Sequence, residues 1–208
     1  MTPGERQTVR YYDDNARDWG AAHSIPGYWH AELARLASCL PPGADILEIG
    51  SGTGIAARYF LDQGFGYLGT DVSAGLLQYA VGQVPDAEFR QLSLYALDTG
   101  RQFGGWWATA SLIHIPHARM QEALTGIAAC LSPGAHGFAA LRTARETRAV
   151  AEKGRDFFLW QRDDLEREMG CVFDITDAYS REGRAGEDTD SWQWGCFFLR
   201  VPERGAIP

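Results

Sequence analysis

The sequence predicts an α/β protein built on a doubly wound, mostly parallel sheet of seven strands, with helices on both faces and an antiparallel hairpin at its C-terminal end. Three observations carry that prediction. The stretch Ile46-Leu47-Glu48-Ile49-Gly50-Ser51-Gly52-Thr53-Gly54-Ile55-Ala56-Ala57 passes from a short apolar run through three alternating glycines into small residues of helical spacing, as a buried strand does where it breaks into a helix. A second run, 66–71, ends on Asp71, 19 positions after Gly52, close to the interval at which such a unit places an acid beside a nucleotide ribose. Two aromatic runs, 171–179 and 192–201, flank a polar loop containing Gly183 and Gly186 and read as paired strands.

Taken in order, residues 5–22 place Tyr12, Ala16 and Trp19 near one helical face. After a turn over 24–27, a helix over 29–39 aligns Leu33, Leu36, Ala37 and Leu40 until Pro41-Pro42-Gly43 stops it. Strand 45–49, the glycine loop and a helix over 55–63 follow, then strand 66–71 and a helix from Ala74 for which Ser73 is the natural cap. In the third strand, 87–92, Glu88 and Arg90 alternate with Phe89, so it belongs near a sheet edge. The fourth strand is 106–110. Met120, Leu124, Ile127, Ala128 and Leu131 stripe a helix over 119–131, and Ser132-Pro133-Gly134 turns the chain into the fifth strand, 137–141. The next segment reads as loop or short helix, with a helix over 162–169 before the closing hairpin.

Composition narrows the function. A chain of 208 residues with 45% apolar and 22% charged residues suits one globular domain, 1–208, in which 1–40 form a helical cap and 41–208 the core. A net charge of -8 and a pI near 5.1 repel polyphosphates, which argues against nucleic acid as a partner. Cys39, Cys130, Cys171 and Cys196 lack metal-binding spacing, so free thiols and no metal are expected. No apolar window approaches the roughly 18 residues of a membrane span, and the first residues lack a signal-peptide core, so the expectation is a cytoplasmic protein without membrane partners.

The chemistry turns on two carboxylates. Gly50, Gly52 and Gly54 let a ligand approach the main chain with no Cβ in the way, but they suit two cofactors. Gly52-Thr53-Gly54-Ile55-Ala56-Ala57 also fits the G-x-G-x-x-A fingerprint of dinucleotide binding, where Glu48 would face a pyrophosphate of its own charge sign. A carboxylate there suits an ammonium better, and Asp71 can accept from both ribose hydroxyls. Ser111 and His114 follow the fourth strand at the end where open α/β sheets bind ligands. His114 is the candidate general base, or else a structural imidazole. Tyr11, Trp29, Arg142, Arg145 and Trp160 are the candidate acceptor pocket, suited to a small molecule with a planar or anionic part.

The pattern Glu48-x-Gly50-x-Gly52-x-Gly54 resembles the first motif of the class I S-adenosylmethionine-dependent methyltransferases, and Ala110-Ser111-Leu112-Ile113-His114-Ile115-Pro116 resembles a signature of small bacterial members. The resemblance implies a Rossmann-like fold and transfer of a methyl group to an O-, N- or S-nucleophile of a small molecule, by a monomer or homodimer. S-Adenosyl-L-methionine is the implied cofactor and S-adenosyl-L-homocysteine the product. Ser51 and Val72 are implied in the same cofactor site, and Ser93-Leu94 stand where many members place an acid near adenine. Tyr11-Tyr12-Asp13-Asp14-Asn15-Ala16-Arg17-Asp18-Trp19 looks like the family's N-terminal helix; it either closes over the cofactor through Tyr12 or simply packs on the domain. Two alternatives remain: a cofactor binder without catalysis, and a small NAD(P)-dependent oxidoreductase.

Overall fold

Strands covered on both faces stay apolar along their length, and the centre of this molecule is built that way. The computed structural model describes residues 1–23, 27–182 and 192–203; all but Gly27 of the expected turn over 24–27, and the loop glycines Gly183 and Gly186, lie outside them. β1 (Asp45–Ile49) is buried from Ile46 onward and pairs in parallel with β2 (Gly66–Asp71) and β4 (Phe103–Thr109). β3 (Glu88–Gln91) lies outside β2 at the sheet edge, as its alternating charges predict, and β5 (Leu131–Ala144) lies beyond β4. β9 (Gln193–Arg200) runs antiparallel to β5, and β8 (Asp174–Glu182) antiparallel to β9.

Alternation along β4 divides its tryptophans between the two faces. Trp107 stacks on Phe138 and meets Phe60 of α3 (Ile55–Asp62). Trp106 stacks on Phe173, just beyond α6 (Arg162–Gly170). The same close packing explains the glycines around them. A Cβ on Gly137 would lie 1.9 Å from the Trp106 indole nitrogen, and one on Gly105 would lie 2.8 Å from Leu40. Gly104-Gly105 therefore belongs inside β4, which starts at Phe103 rather than at the expected residue 106.

Among the described residues the sheet has nine strands, not seven. The addition is a hairpin of β6 (Arg148–Glu152) and β7 (Arg155–Gln161), in the segment expected to be loop or short helix. Its two-residue turn, Lys153-Gly154, has φ of 49° and 79°, the mirror-image geometry whose twist matches paired strands. β7 also runs parallel to the end of β5, through Thr143 and Ala144.

The N-terminal helix α1 (Pro3–His23) bridges the body and this hairpin. Asp13 Oδ1 accepts from the Ser73 hydroxyl at 2.6 Å and the Gly75 amide at 2.9 Å, at the start of α4 (Ala74–Gln83). A Cβ on Gly75 would come within 2.7 Å of the Asp13 carbonyl oxygen, so glycine admits the helix there. On the other side the Asp156 amide donates to Thr8 Oγ1 at 3.0 Å. α2 (His30–Ser38) is fastened by buried Glu32, which accepts from Tyr179 and Arg181, each at 2.8 Å. A further helix is α5 (Met120–Ala129), and among the described residues no helix is long and apolar enough to cross a membrane.

Candidate functional site

Beyond the carboxyl ends of β1, β2 and β4, under α1, lies a cavity of about 480 Å³. This is the position at which open α/β sheets bind ligands. One half is acidic and made from the loops that follow β1 and β2. Gly50 and Gly52 have φ of 67° and 54°, in the left-handed region. A Cβ on Gly50 would lie 2.2 Å from Ser111 Cβ, whereas nothing stands within 4 Å of one on Gly52, whose open side faces the cavity. Asp71 holds the loop in shape: the Gly52 amide donates to its Oδ2 at 3.0 Å and the Ser73 amide to its Oδ1 at 2.9 Å. Burial raises the Asp71 pKa, while these amides oppose the rise.

Glu48 is 5% exposed and receives the hydroxyl proton of Tyr67. Burial pushes its pKa up to about 8, against the Tyr67 hydrogen bond, so the carboxyl is mostly protonated at neutral pH. Two buried hydroxyl oxygens in the same wall, Ser51 Oγ and Ser111 Oγ, lack a hydrogen-bond partner among the described residues. Buried polar atoms are nearly always partnered, so these two suit a polar ligand. Val72, Leu92, Ser93 and Leu94 close the far side. Ser93 Oγ already accepts from the Tyr95 amide at 3.3 Å, which leaves its proton and one lone pair for a ligand.

The other half is basic and aromatic. Arg142 lies near the end of β5 and Arg155 at the start of β7, and both line the cavity with Phe157, Trp19, Trp192 and Trp194. Beside them the His114 ring is held at both nitrogens. Nδ1 donates to the Asp156 carbonyl at 2.6 Å, which leaves Nε2 to accept from the Tyr12 hydroxyl at 3.0 Å. Burial, helped by the charges of Arg155 and Arg142, depresses the His114 pKa to about 4 despite the carbonyl contact. Burial also raises the Tyr12 pKa, so at neutral pH the pair is phenol and neutral imidazole. Ala110, just before Ser111, has a φ of 57°, a strained angle for a residue with a Cβ and one at which the chain turns into the cavity wall.

The cavity brings together Tyr12, Glu48, Gly50, Ser51, Gly52, Asp71, Val72, Ser93, Leu94, Ser111, Trp29, His114 and Arg142. It does not bring Gly54, Tyr11, Arg145 or Trp160 to its wall. Gly54 is the N-cap of α3, with φ of 80° and its Cβ direction against Phe89. Tyr11 stands behind Arg155, its ring centroid 4.5 Å from the guanidinium carbon. Arg145 is exposed. Trp160 fails for a reason of periodicity. On β7, Arg155 and Phe157 face the cavity, whereas Phe158 and Trp160 face His117, with ring centroids 5.3 and 4.6 Å away. The sequence points to the segment 155–160 as part of the acceptor pocket but singles out Trp160 in it rather than Arg155 or Phe157, and places Trp19 on the Tyr12 face of the first helix without assigning it to the pocket; Trp192 and Trp194 carry no such signal. A Lys-Gly pair between two alternating runs was the available signal for the hairpin, and it is weaker than Asn-Gly or Asp-Gly.

Residues 46–134 match the family described as methyltransferase domain. No curated protein matches the sequence. Among solved structures, the Burkholderia thailandensis 1,6-didemethyltoxoflavin-N1-methyltransferase, with bound 1,6-didemethyltoxoflavin and S-adenosylhomocysteine, is 18% identical. The match covers 98% of this chain and 92% of that one, with a TM-score of 0.77. The DhpI–S-adenosylhomocysteine complex is 21% identical over 98% of this chain and 100% of its own, with a TM-score of 0.71. The [4+2]-cyclase SpnF is 17% identical over 97% and 98%, with a TM-score of 0.78. Residues 46–134 thus match the methyltransferase-domain family, and the described chain as a whole has the Rossmann-like fold of the class I S-adenosylmethionine-dependent methyltransferases.

Proposed function

We propose that the chain is one S-adenosylmethionine-dependent methyltransferase domain (EC 2.1.1), capped by residues 1–40, that methylates a small molecule in the cytoplasm. The observation that carries this reading is the acidic half of the cavity. Positive-φ glycines, two unpartnered serine hydroxyls and the carboxyls of Glu48 and Asp71 surround one space, a donor and acceptor set suited to an amino acid joined to a nucleoside. Glu48, Gly50, Ser51, Gly52 and Ser111 are assigned to the amino-acid end and Asp71 with Val72 to the ribose. Ser93 and Leu94 are assigned to the base, and Tyr12 closes the site from α1.

When bound, S-adenosylmethionine supplies a methyl group already activated by its sulfonium. The chain's own part is to align the acceptor, exclude water and manage any proton. Trp29, Arg142 and the Tyr12–His114 pair form the acceptor side. An acceptor proton bound for His114 Nε2 would pass through the Tyr12 hydroxyl, which occupies that lone pair.

A second reading, a cofactor binder that transfers no methyl, has one observation in its favour: the engaged, weakly basic His114. Fold similarity alone does not choose, since one neighbour is a cyclase. Calorimetric titration with S-adenosylmethionine, S-adenosylhomocysteine and NAD tests the cofactor. Binding of NAD without the other two sinks the first reading. Release of S-adenosylhomocysteine in a screen of pooled metabolites then separates enzyme from binder.

A further inference from the structure

We propose that the acceptor is a small ring-bearing anion whose carboxylate, phenolate or enolate oxygen sits against Arg155 and Arg142; this rests on the methyltransferase reading above. Arg155 is 7% exposed, and no described carboxylate forms an ion pair with it. Its surroundings are rings. The guanidinium carbon lies 4.5 Å from the Tyr11 ring centroid, 5.0 Å from Phe157, 5.2 Å from Trp19 and 5.7 Å from Tyr12. Ring faces offer a cation some attraction and the Tyr12 hydroxyl offers one partner, but a buried guanidinium has five N–H donors to satisfy, and its Nε has no partner among the described residues.

Arg142 repeats the pattern. It stacks at 4.2 Å on Phe157 and on Trp192, its Nε is also orphaned, and Glu152 approaches it only to 3.7 Å. Two cations therefore share the Phe157 ring. Like charges so placed repel: burial lowers the Arg142 pKa first and Arg155 adds to the lowering, while Glu152 and Tyr12 oppose it. An anion between them relieves the repulsion and engages the free donors in charge-assisted bonds. The flat walls supplied by Trp19, Trp192 and Phe157 suit a planar ring attached to that anion. A cationic acceptor would meet two fixed positive charges.

The test is calorimetric titration of the full chain, saturated with S-adenosylhomocysteine, with benzoate, indole-3-carboxylate and quinoline-2-carboxylate, each beside its own amide. At least one carboxylate should bind about tenfold or more tighter than its amide. Arg155→Met, close in volume, should abolish that preference while S-adenosylhomocysteine affinity stays within about twofold. Should Arg155→Met fail to give a cooperative thermal transition, Arg142→Gln serves in its place. Amides that bind as well as their acids, or a preference that survives the substitution, overturn the proposal. If S-adenosylhomocysteine does not bind at all, the titrations are run without it. A carboxylate preference then upholds the anion site while the cofactor reading falls, and its absence overturns both.

Discussion

Glu48 and Asp71 stand on parallel strands at the centre of the sheet, and the backbone between them lies within a single strand-loop-helix-strand unit. Arg142 and Arg155 stand where β5 outruns β4 and meets an added hairpin, and the roof over them is a helix that precedes β7 by more than a hundred residues. One cavity is thus acidic where local chain geometry builds it and basic where distant segments meet. Backbone amides define the shape of the acidic half. The basic half is made of side chains on an appended element, which can vary without disturbing the glycine loop.

The strongest way to break the acidic half alone is Gly50→Ala. A left-handed alanine costs about 1–2 kcal/mol, and a Cβ placed 2.2 Å from Ser111 Cβ adds overpacking of about 1–3 kcal/mol. Thermal unfolding should fall accordingly, with S-adenosylhomocysteine affinity lost. Next, Asp71→Ala should weaken S-adenosylhomocysteine by about 1–3 kcal/mol in calorimetry, since a buried acceptor of the Gly52 and Ser73 amides is removed. Carboxylate binding at Arg155 should remain; if it falls equally, the halves are not separable.

The two halves should also answer pH in opposite senses. Glu48 titrates near 8 when folded and near 4.5 when unfolded, so between these values the folded chain holds the extra proton. Its contribution to stability is complete below pH 4.5 and is lost as pH rises toward 8, with a slope of at most about 1.4 kcal/mol per unit. Glu48→Gln should flatten that part of a chemical-denaturation series. His114 titrates near 4 when folded and near 6.5 when unfolded, so there the unfolded chain holds the extra proton and stability is lost as pH falls from 6.5 toward 4. His114→Gln should remove this acid-side loss. Its effect on turnover should be the smallest of the set if the acceptor arrives as an anion, because no proton then needs a base. A fall of about a hundredfold or more, with cofactor affinity intact, would assign His114 to proton transfer.

Much of this was legible in the chain. Ile46 to Ala57 and Asp71 announce a strand, a glycine loop and an acid at the end of the next strand, because the spacing and residue types are set by a unit that is contiguous in sequence. Edge strand β3 was readable from its alternating charges, and the C-terminal hairpin from its two aromatic runs. Tertiary structure decided the rest. Glu48, read as waiting for an ammonium, already holds the Tyr67 hydroxyl, a neighbour created by the parallel register of β1 with β2. His114 is tied to Tyr12 and to the Asp156 carbonyl, 102 positions before it and 42 after it. Trp160 was chosen for its chemistry, but strand periodicity on β7 hands the cavity to Arg155 and Phe157 instead. A local motif carries its own geometry in its spacing, whereas a buried guanidinium among rings exists only after distant segments have met, and no spacing encodes that meeting.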